Sequence, residues 1–259
     1  MNTLSVKKIT AAYKKTKTVL QNVSFSLLQG EFVCLCGANG CGKSTFLSLL
    51  CGLPNKNLQI LSAQKMPSVN ETQIFKMKRI ECAKKISYMQ QNENSVWDFS
   101  VFDFVLQGRF CHSNGGYYSQ NDYEIVNQTL QEMNLKKFSL QNVNSLSGGE
   151  FQKVRIARAL CQQPEFMLLD EPAANLDYVY EPQLMKLLKN LAHTKNVGIL
   201  AIVHNINLAY NFADRICLLP PCKNIISGKP QEIMTVDNLK LTFGVNFQCK
   251  ETKLFQSLQ

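Results

Sequence analysis

No apolar run in this sequence is long enough to cross a bilayer. Even with glycine counted as apolar, the longest uninterrupted runs are seven residues, Phe32–Ala38 and Val197–Val203, against the roughly 20 a membrane helix needs. Charge is sparse at 18% beside 45% apolar residues, a balance that excludes a disordered tail or a coiled coil and allows a full core. The opening MNTLSVKKIT lacks the apolar centre of a signal peptide and turns strand-like at once, so a cytosolic chain is expected. Ten cysteines in 259 residues include no CxxC pair, and His112, His193 and His204 stand apart from one another. Neither a disulfide scaffold nor a structural zinc site is expected, and the cysteines fit a reducing compartment. Tryptophan occurs once, at Trp97.

Positive residues outnumber negative ones, 28 to 19, for a net charge of +9. The surplus is scattered in short clusters such as Lys7-Lys8, Lys14-Lys15 and Lys84-Lys85. No zinc finger, basic helix or aromatic RNA-binding strand accompanies it, so it reads as a solvated face and no nucleic-acid partner is expected.

Residues 3–12 and 22–27 read as strands around a polar turn, and Phe32–Cys36 as a short strand apolar enough to be covered on both faces. Ser44–Leu50 begins a helix. The stretch 54–72 reads as polar and turn-rich, with an edge strand at 58–61; a helix over 76–84 leads to a strand at 86–89. The middle of the chain, about 100–160, is helical: Val101, Phe104 and Val105 share one face, and Tyr123, Val126, Leu130 and Met133 another. Strands return at 166–169 and 197–203 around a helix at 181–193, followed by a hairpin over 216–226 and a last helix at 230–239. This alternation argues for an α/β sheet with an inserted helical lobe.

Two motifs carry chemistry. Gly37-Ala38-Asn39-Gly40-Cys41-Gly42-Lys43-Ser44 matches G-x-x-x-x-G-K-[ST] between an apolar strand and a helix, the context a phosphate-binding loop requires. Its glycines let amides turn inward around a phosphate, and the helix start adds unpaired N–H groups and a positive dipole end. Lys43 is then placed to reach the terminal phosphates and Ser44 to ligate magnesium. The thiol of Cys41, between two glycines, is expected on the rim of the cradle with its thiolate favoured by Lys43. The second motif is the strand Phe166–Leu169 ending in Asp170-Glu171-Pro172. Carboxylates at the carboxyl edge of a parallel sheet face the same opening as the cradle, where Asp170 would hold magnesium through water and Glu171 would orient or deprotonate a water.

Leu146-Ser147-Gly148-Gly149-Glu150, followed by Gln152 and Arg155–Leu160, resembles the signature of the ATP-binding-cassette (ABC) ATPases. The order of cradle, Gln91, signature, Asp170-Glu171, Leu176-Asp177 and His204 fits that family over essentially the whole chain. The resemblance implies a P-loop NTPase core (about 1–91 and 161–259) with a flanking antiparallel β subdomain and an inserted helical subdomain (about 92–160). It implies ATP and Mg2+ as cofactors, with Tyr13 stacking on adenine and residues Gly37 to Ser44 and Thr45 around the phosphates. Gln91 would contact magnesium and the attacking water, and His204 would contact the γ-phosphate and Glu171. Ser147, Gly148 and Gly149 would bind the γ-phosphate held by a second copy, and Asp177 would link the two sites. A serine and two glycines at a helix start do form a second anion-binding end. One ATP has a single γ-phosphate to share between two such ends, which two chains facing head to tail with C2 symmetry would resolve.

Finer features, Val101 through Gly108-Arg109, His204 to Ala209, Gly228-Lys229-Pro230 and Phe243-Gly244, resemble ATPases of iron-siderophore, haem and cobalamin importers. The resemblance implies a membrane permease dimer as partner, an extracytoplasmic binding protein acting through it, and a location on the cytoplasmic side of the cell membrane. Zinc or manganese importer ATPases share nearly every motif, and a soluble cassette acting in assembly or on nucleic acid is the reading from another class. Three positions depart from the family pattern: Gln90 for proline, Ala173 for threonine, and Asn205 for aspartate.

Overall fold

The computed structural model describes residues 1–14, 18–53, 57–91, 98–174, 176–249 and 255–257. Trp97, the single tryptophan, and Lys15 lie outside the described residues. Two sheets organise the described chain. Strands β1 (Thr3–Tyr13) and β2 (Thr18–Leu28) pair antiparallel. Strand β3 (Phe32–Cys36) then enters the second sheet and is followed by helix α1 (Lys43–Leu50). Strands β4 (Leu58–Ser62), β5 (Lys65–Val69) and β6 (Thr72–Gln73) return to the first sheet, β4 and β5 both pairing with β1. The described part of the stretch 54–72, from residue 57 on, is therefore more strand than turn. Its polar residues hid this: Ser68 is buried, opposite Ser5 in the register of β1 and β5, with its hydroxyl directed at the Ser5 carbonyl.

After a 3-10 turn at Ile74–Lys76, helix α2 (Arg79–Lys85) leads into strand β7 (Ile86–Met89). Helices α3 (Val101–Leu106), α4 (Gln120–Glu132) and α5 (Gly148–Cys161) form the helical lobe. Strand β8 (Phe166–Leu169), helix α6 (Tyr180–Lys195), strand β9 (Gly198–Ile202), helix α7 (Ile206–Phe212) and strands β10 (Arg215–Leu218) and β11 (Ile226–Gly228) complete the second sheet, in the order β11-β10-β3-β9-β8-β7. All neighbours in it are parallel except the antiparallel pair β10–β11. The last helix is two, α8 (Pro230–Ile233) and α9 (Val236–Phe243), because Thr235 leaves the helical path and caps α9 with its hydroxyl. A short hairpin of β12 (Phe247–Cys249) and β13 (Phe255–Ser257) follows.

The parallel strands are apolar without alternation because each divides its side chains between two cores. Phe32, Cys34, Cys36, Met167, Leu169, Ile199 and Ala201 face the helical lobe and α6, whereas Val33, Leu35, Phe166, Leu168, Leu200 and Ile202 face α1 and the antiparallel sheet. Among the described residues no helix is long and apolar enough to cross a membrane.

Gly108-Arg109 is a packing device. A Cβ on Gly108 would stand 2.3 Å from the Arg158 carbonyl oxygen, so only glycine lets this segment lie against α5. Arg109, 3% exposed, pairs through Nε with Asp122 Oδ1 at 2.9 Å, and its Nη1 donates to the Cys161 carbonyl and to Gln163 Oε1. Asp122 also closes the capping box of α4 with Ser119. Tyr123 departs from the expected apolar face; it is exposed and stacks on Phe102, with ring centroids 6.1 Å apart. Removing one member of a buried ion pair leaves the other charge uncompensated. Arg109→Met is accordingly expected to cost about 3 kcal/mol. A urea titration of the purified variant checks this, and an unchanged midpoint would show the pair to be dispensable.

Candidate nucleotide site

Because β3, β9, β8 and β7 are parallel neighbours, their carboxyl ends open on one edge, the crevice where open α/β sheets bind ligands. β3 delivers the cradle, β9 delivers His204, β8 delivers Asp170 and Glu171, and β7 delivers Gln91. A cleft of about 880 Å³ elsewhere collects other residues, but the cleft at this edge, of about 500 Å³, is lined by Tyr13, Val19, Asn39, Gly40, Gly42, Lys43, Ser44, Thr45, Gln91, Glu171 and His204. Val19, one of its walls, carried no sequence signal, since it falls between the two strands read from the sequence, whereas β2 in fact begins at Thr18.

Within the cradle, Gly42 takes φ +104 as the residue before α1, a conformation an L side chain rarely adopts. Lys43 is buried, and its Nζ donates to the carbonyls of Gly37 and Ala38, each at 2.9 Å. The cation is thus held on the inner curve of the loop, next to the amino-terminal end of α1. The Tyr13 hydroxyl lies 2.8 Å from Thr45 Oγ1, which brings the ring to the lip of the cleft.

Cys41 is a correction. Its side chain is 5% exposed and packs in the core beneath the loop, and a Cβ added to Gly37 would meet its sulfur at 2.8 Å. Burial pushes the Cys41 thiol above its ordinary pKa, more than Lys43 and the nearby amides pull it down. The residue between two glycines faces inward because the loop wraps its amides, not its side chains, toward the opening.

Opposite the cradle, Glu171 adopts φ +51, a left-handed backbone uncommon for a residue other than glycine and the kind of strain that gathers at working sites. Its two oxygens are held separately: Gln91 Nε2 donates to Oε2 at 2.6 Å, and His204 Nε2 lies 2.5 Å from Oε1. Asp170 is buried, and its Oδ1 has no hydrogen-bond partner among the described residues, while Oδ2 accepts weakly from the Tyr88 hydroxyl at 3.4 Å. Burial raises the Asp170 carboxyl above the usual range, and the Ser44 hydroxyl draws it back. A buried carboxylate oxygen without a donor, beside Ser44, fits a hydrated magnesium. Among the described residues no three His, Cys, Asp or Glu side chains cluster to hold a metal by themselves, so an ion here would depend on Ser44, water and a nucleotide's oxygens.

The remaining residues read from the sequence are not in this cleft. Ser147, Gly148, Gly149 and Asp177 line the separate cleft of about 880 Å³, together with Lys137, Lys153 and Tyr180. Ser147 caps α5 in a reciprocal box: Glu150 Oε2 accepts from the Ser147 hydroxyl at 2.6 Å and from its amide at 3.0 Å. That hydroxyl and amide hold the Glu150 carboxyl below its ordinary pKa. Asn205, read as a departure from aspartate, accepts at Oδ1 from the amides of Asn207 and Leu208 and so caps α7, a position where asparagine and aspartate serve about equally well.

A parallel sheet with a P-loop at one strand end and paired carboxylates at another defines a nucleotide-hydrolysing α/β protein. The ABC transporter family model matches residues 20–174. An uncharacterized ABC transporter ATP-binding protein of Methanocaldococcus jannaschii is 35% identical over 94% of this chain and 92% of its own length. The hemin import ATP-binding protein HmuV of Escherichia coli O157:H7 is 34% identical over 89% and 88%. Among solved structures, an inward-facing putative metal-chelate type ABC transporter superposes with TM-score 0.83 at 27% identity, covering 100% of this chain and 98% of that one. The chain belongs to the ABC transporter family, as an ATP-binding and ATP-hydrolysing subunit.

The orientation of Cys41 sets a chemical expectation. At neutral pH a maleimide should label the exposed Cys222 first and leave Cys41 unmodified until the chain is denatured. Peptide mapping of the folded, labelled protein reads this directly, and early modification at Cys41 would return its sulfur to the rim.

Proposed function

We propose that the chain powers import of an iron-siderophore, haem or cobalamin through a separate membrane permease, as a homodimer on the cytoplasmic side of the membrane. One observation carries the dimer: phosphate-binding elements are divided between two clefts of one chain, Lys43 with Glu171 in one and Ser147 with Asp177 in the other. Two chains related by C2 symmetry would place each signature helix start against the partner's nucleotide. The class of cargo is supported by relatives named for hemin import and for iron(3+)-hydroxamate import, the latter from Bacillus subtilis and 30% identical over 95% of this chain. The structural relatives described as a metal-chelate type ABC transporter and as part of an ABC transporter complex support a place in a multi-subunit transport complex; the permease dimer and an extracytoplasmic binding protein complete this reading.

In this reading Tyr13 packs on the adenine, and the amides of Gly37 to Thr45 and the Lys43 ammonium neutralise the phosphates. Ser44 and Asp170, with Gln91, would hold Mg2+, which when bound draws charge from the phosphate oxygens. Glu171 orients the attacking water and accepts its proton. Gln91 and His204 keep the carboxylate aimed, since each occupies one of its oxygens.

Glu171→Gln keeps the shape and removes proton acceptance. Turnover is expected to fall by about 10²–10⁴ while ATP stays bound and holds two chains together, a mass read by light scattering with ATP and magnesium. Turnover equal to wild type would remove Glu171 from the role of base.

Ser147→Arg separates the two clefts. The cation should exclude a partner's γ-phosphate without entering the chain's own cradle, so the monomer should bind ATP normally and fail to hydrolyse it. Loss of ATP binding by the isolated monomer would argue that the signature serves its own nucleotide.

A further inference from the structure

Helix α5 begins at the signature, and its flank runs beneath the carboxyl edge of β7 and β8. That flank carries two buried polar side chains one turn apart, Gln152 and Arg155, each 5% exposed, beside the apolar Val154, Ile156 and Ala157. Gln152 Nε2 donates to the carbonyl of Pro172, the residue after Glu171. Arg155 Nη2 donates to the carbonyl of Gln90, the residue before Gln91, and Nη1 donates to Gln152 Oε1 at 2.9 Å. Gln91 in turn donates to Glu171 at 2.6 Å. The contacts therefore close a ring: α5 to the backbone at Gln90, across Gln91 to Glu171, and back from Pro172 to α5. Burying a guanidinium is costly unless its donors are used, and here one fixes the strand end from which Gln91 reaches Glu171 while another binds Gln152 on the same helix.

We propose that Arg155, braced by Gln152, is a positioning residue for hydrolysis. It holds the Gln90 backbone so that the Gln91 amide meets Glu171, and it ties that contact to the helix whose first residues form the signature. This rests on the reading of Glu171 and Gln91 given above and extends it to the helix that would face the partner's nucleotide.

The test is a double-mutant cycle on the purified chain, with steady-state ATP hydrolysis, an ATP–magnesium binding titration and a thermal melt for each variant. Arg155→Met keeps the aliphatic stem and should lower kcat about tenfold to a hundredfold, as misplaced catalytic groups do, with KM and ATP affinity within about twofold of wild type. Arg155→Lys, which keeps one donor, should recover part of kcat. On a Gln91→Ala background, Arg155→Met should cost less than about a further twofold, because coupled residues do not add. Wild-type kcat in Arg155→Met, the same factor lost on both backgrounds, or a loss expressed in KM and affinity would each overturn the proposal. Should Arg155→Met not accumulate as folded protein, Arg155→Lys carries the same cycle. A wild-type chain without ATPase, or a fully active Glu171→Gln, would instead overturn the underlying assignment of the base.

Discussion

The site depends on the parallel register of β3, β9, β8 and β7. Because these strands run the same way as neighbours, the residues that follow each of them emerge on one edge, and functional groups far apart in sequence share a single cleft. Nothing in the cradle alone would place a carboxylate opposite Lys43. The strand pair β8–β9 does that by setting Leu169 beside Ala201, so that Glu171 and His204 leave the sheet together. The double burial of these strands serves the same end, since a strand covered on both faces has little freedom to shift and its register is firmly held.

The helical lobe is fastened to this edge at two levels. Deep in the lobe, Gly108 allows close approach to α5, and Arg109 binds the end of α5 to the start of α4. Nearer the cleft, Gln152 and Arg155 grip the backbone at Pro172 and Gln90, beside Glu171 and Gln91. The lobe is thus joined to the sheet through α5 above all. The same helix presents Ser147 and Gly149 to the separate cleft of about 880 Å³.

Much of this was legible in the sequence, for identifiable reasons. The strands at 86–89 and 166–169 and the loop at 37–44 were readable because their chemistry is local: apolar runs, glycines at fixed spacing, acids directly after a strand. The strand at 65–69 was not, since Lys65 and Ser68 owe their place to pairing with β1 and not to their own preference. Cys41 was misplaced because spacing assigns a residue to a loop without saying which side of the loop its side chain takes. Gln152 and Arg155 were visible only as part of a motif, since a polar side chain on a helix reads as solvated until a tertiary carbonyl claims it. The features that suggested an iron or cobalamin branch have structural work of their own. Gly108-Arg109 packs the lobe, Pro230 opens α8, and Gly244 at φ +75 ends α9.

The inward turn of Cys41 bears on how the protein meets oxidative stress. Peroxides attack cysteines that are both exposed and ionised, and this thiol is neither. A sulfenic acid in that packed space would push against Gly37, where an added Cβ would already meet the sulfur at 2.8 Å, and so deform the phosphate loop. Shielding by the fold keeps the cradle working in surroundings where a thiol on the rim would be lost, and leaves Cys222, at the surface, as the described cysteine most open to oxidants.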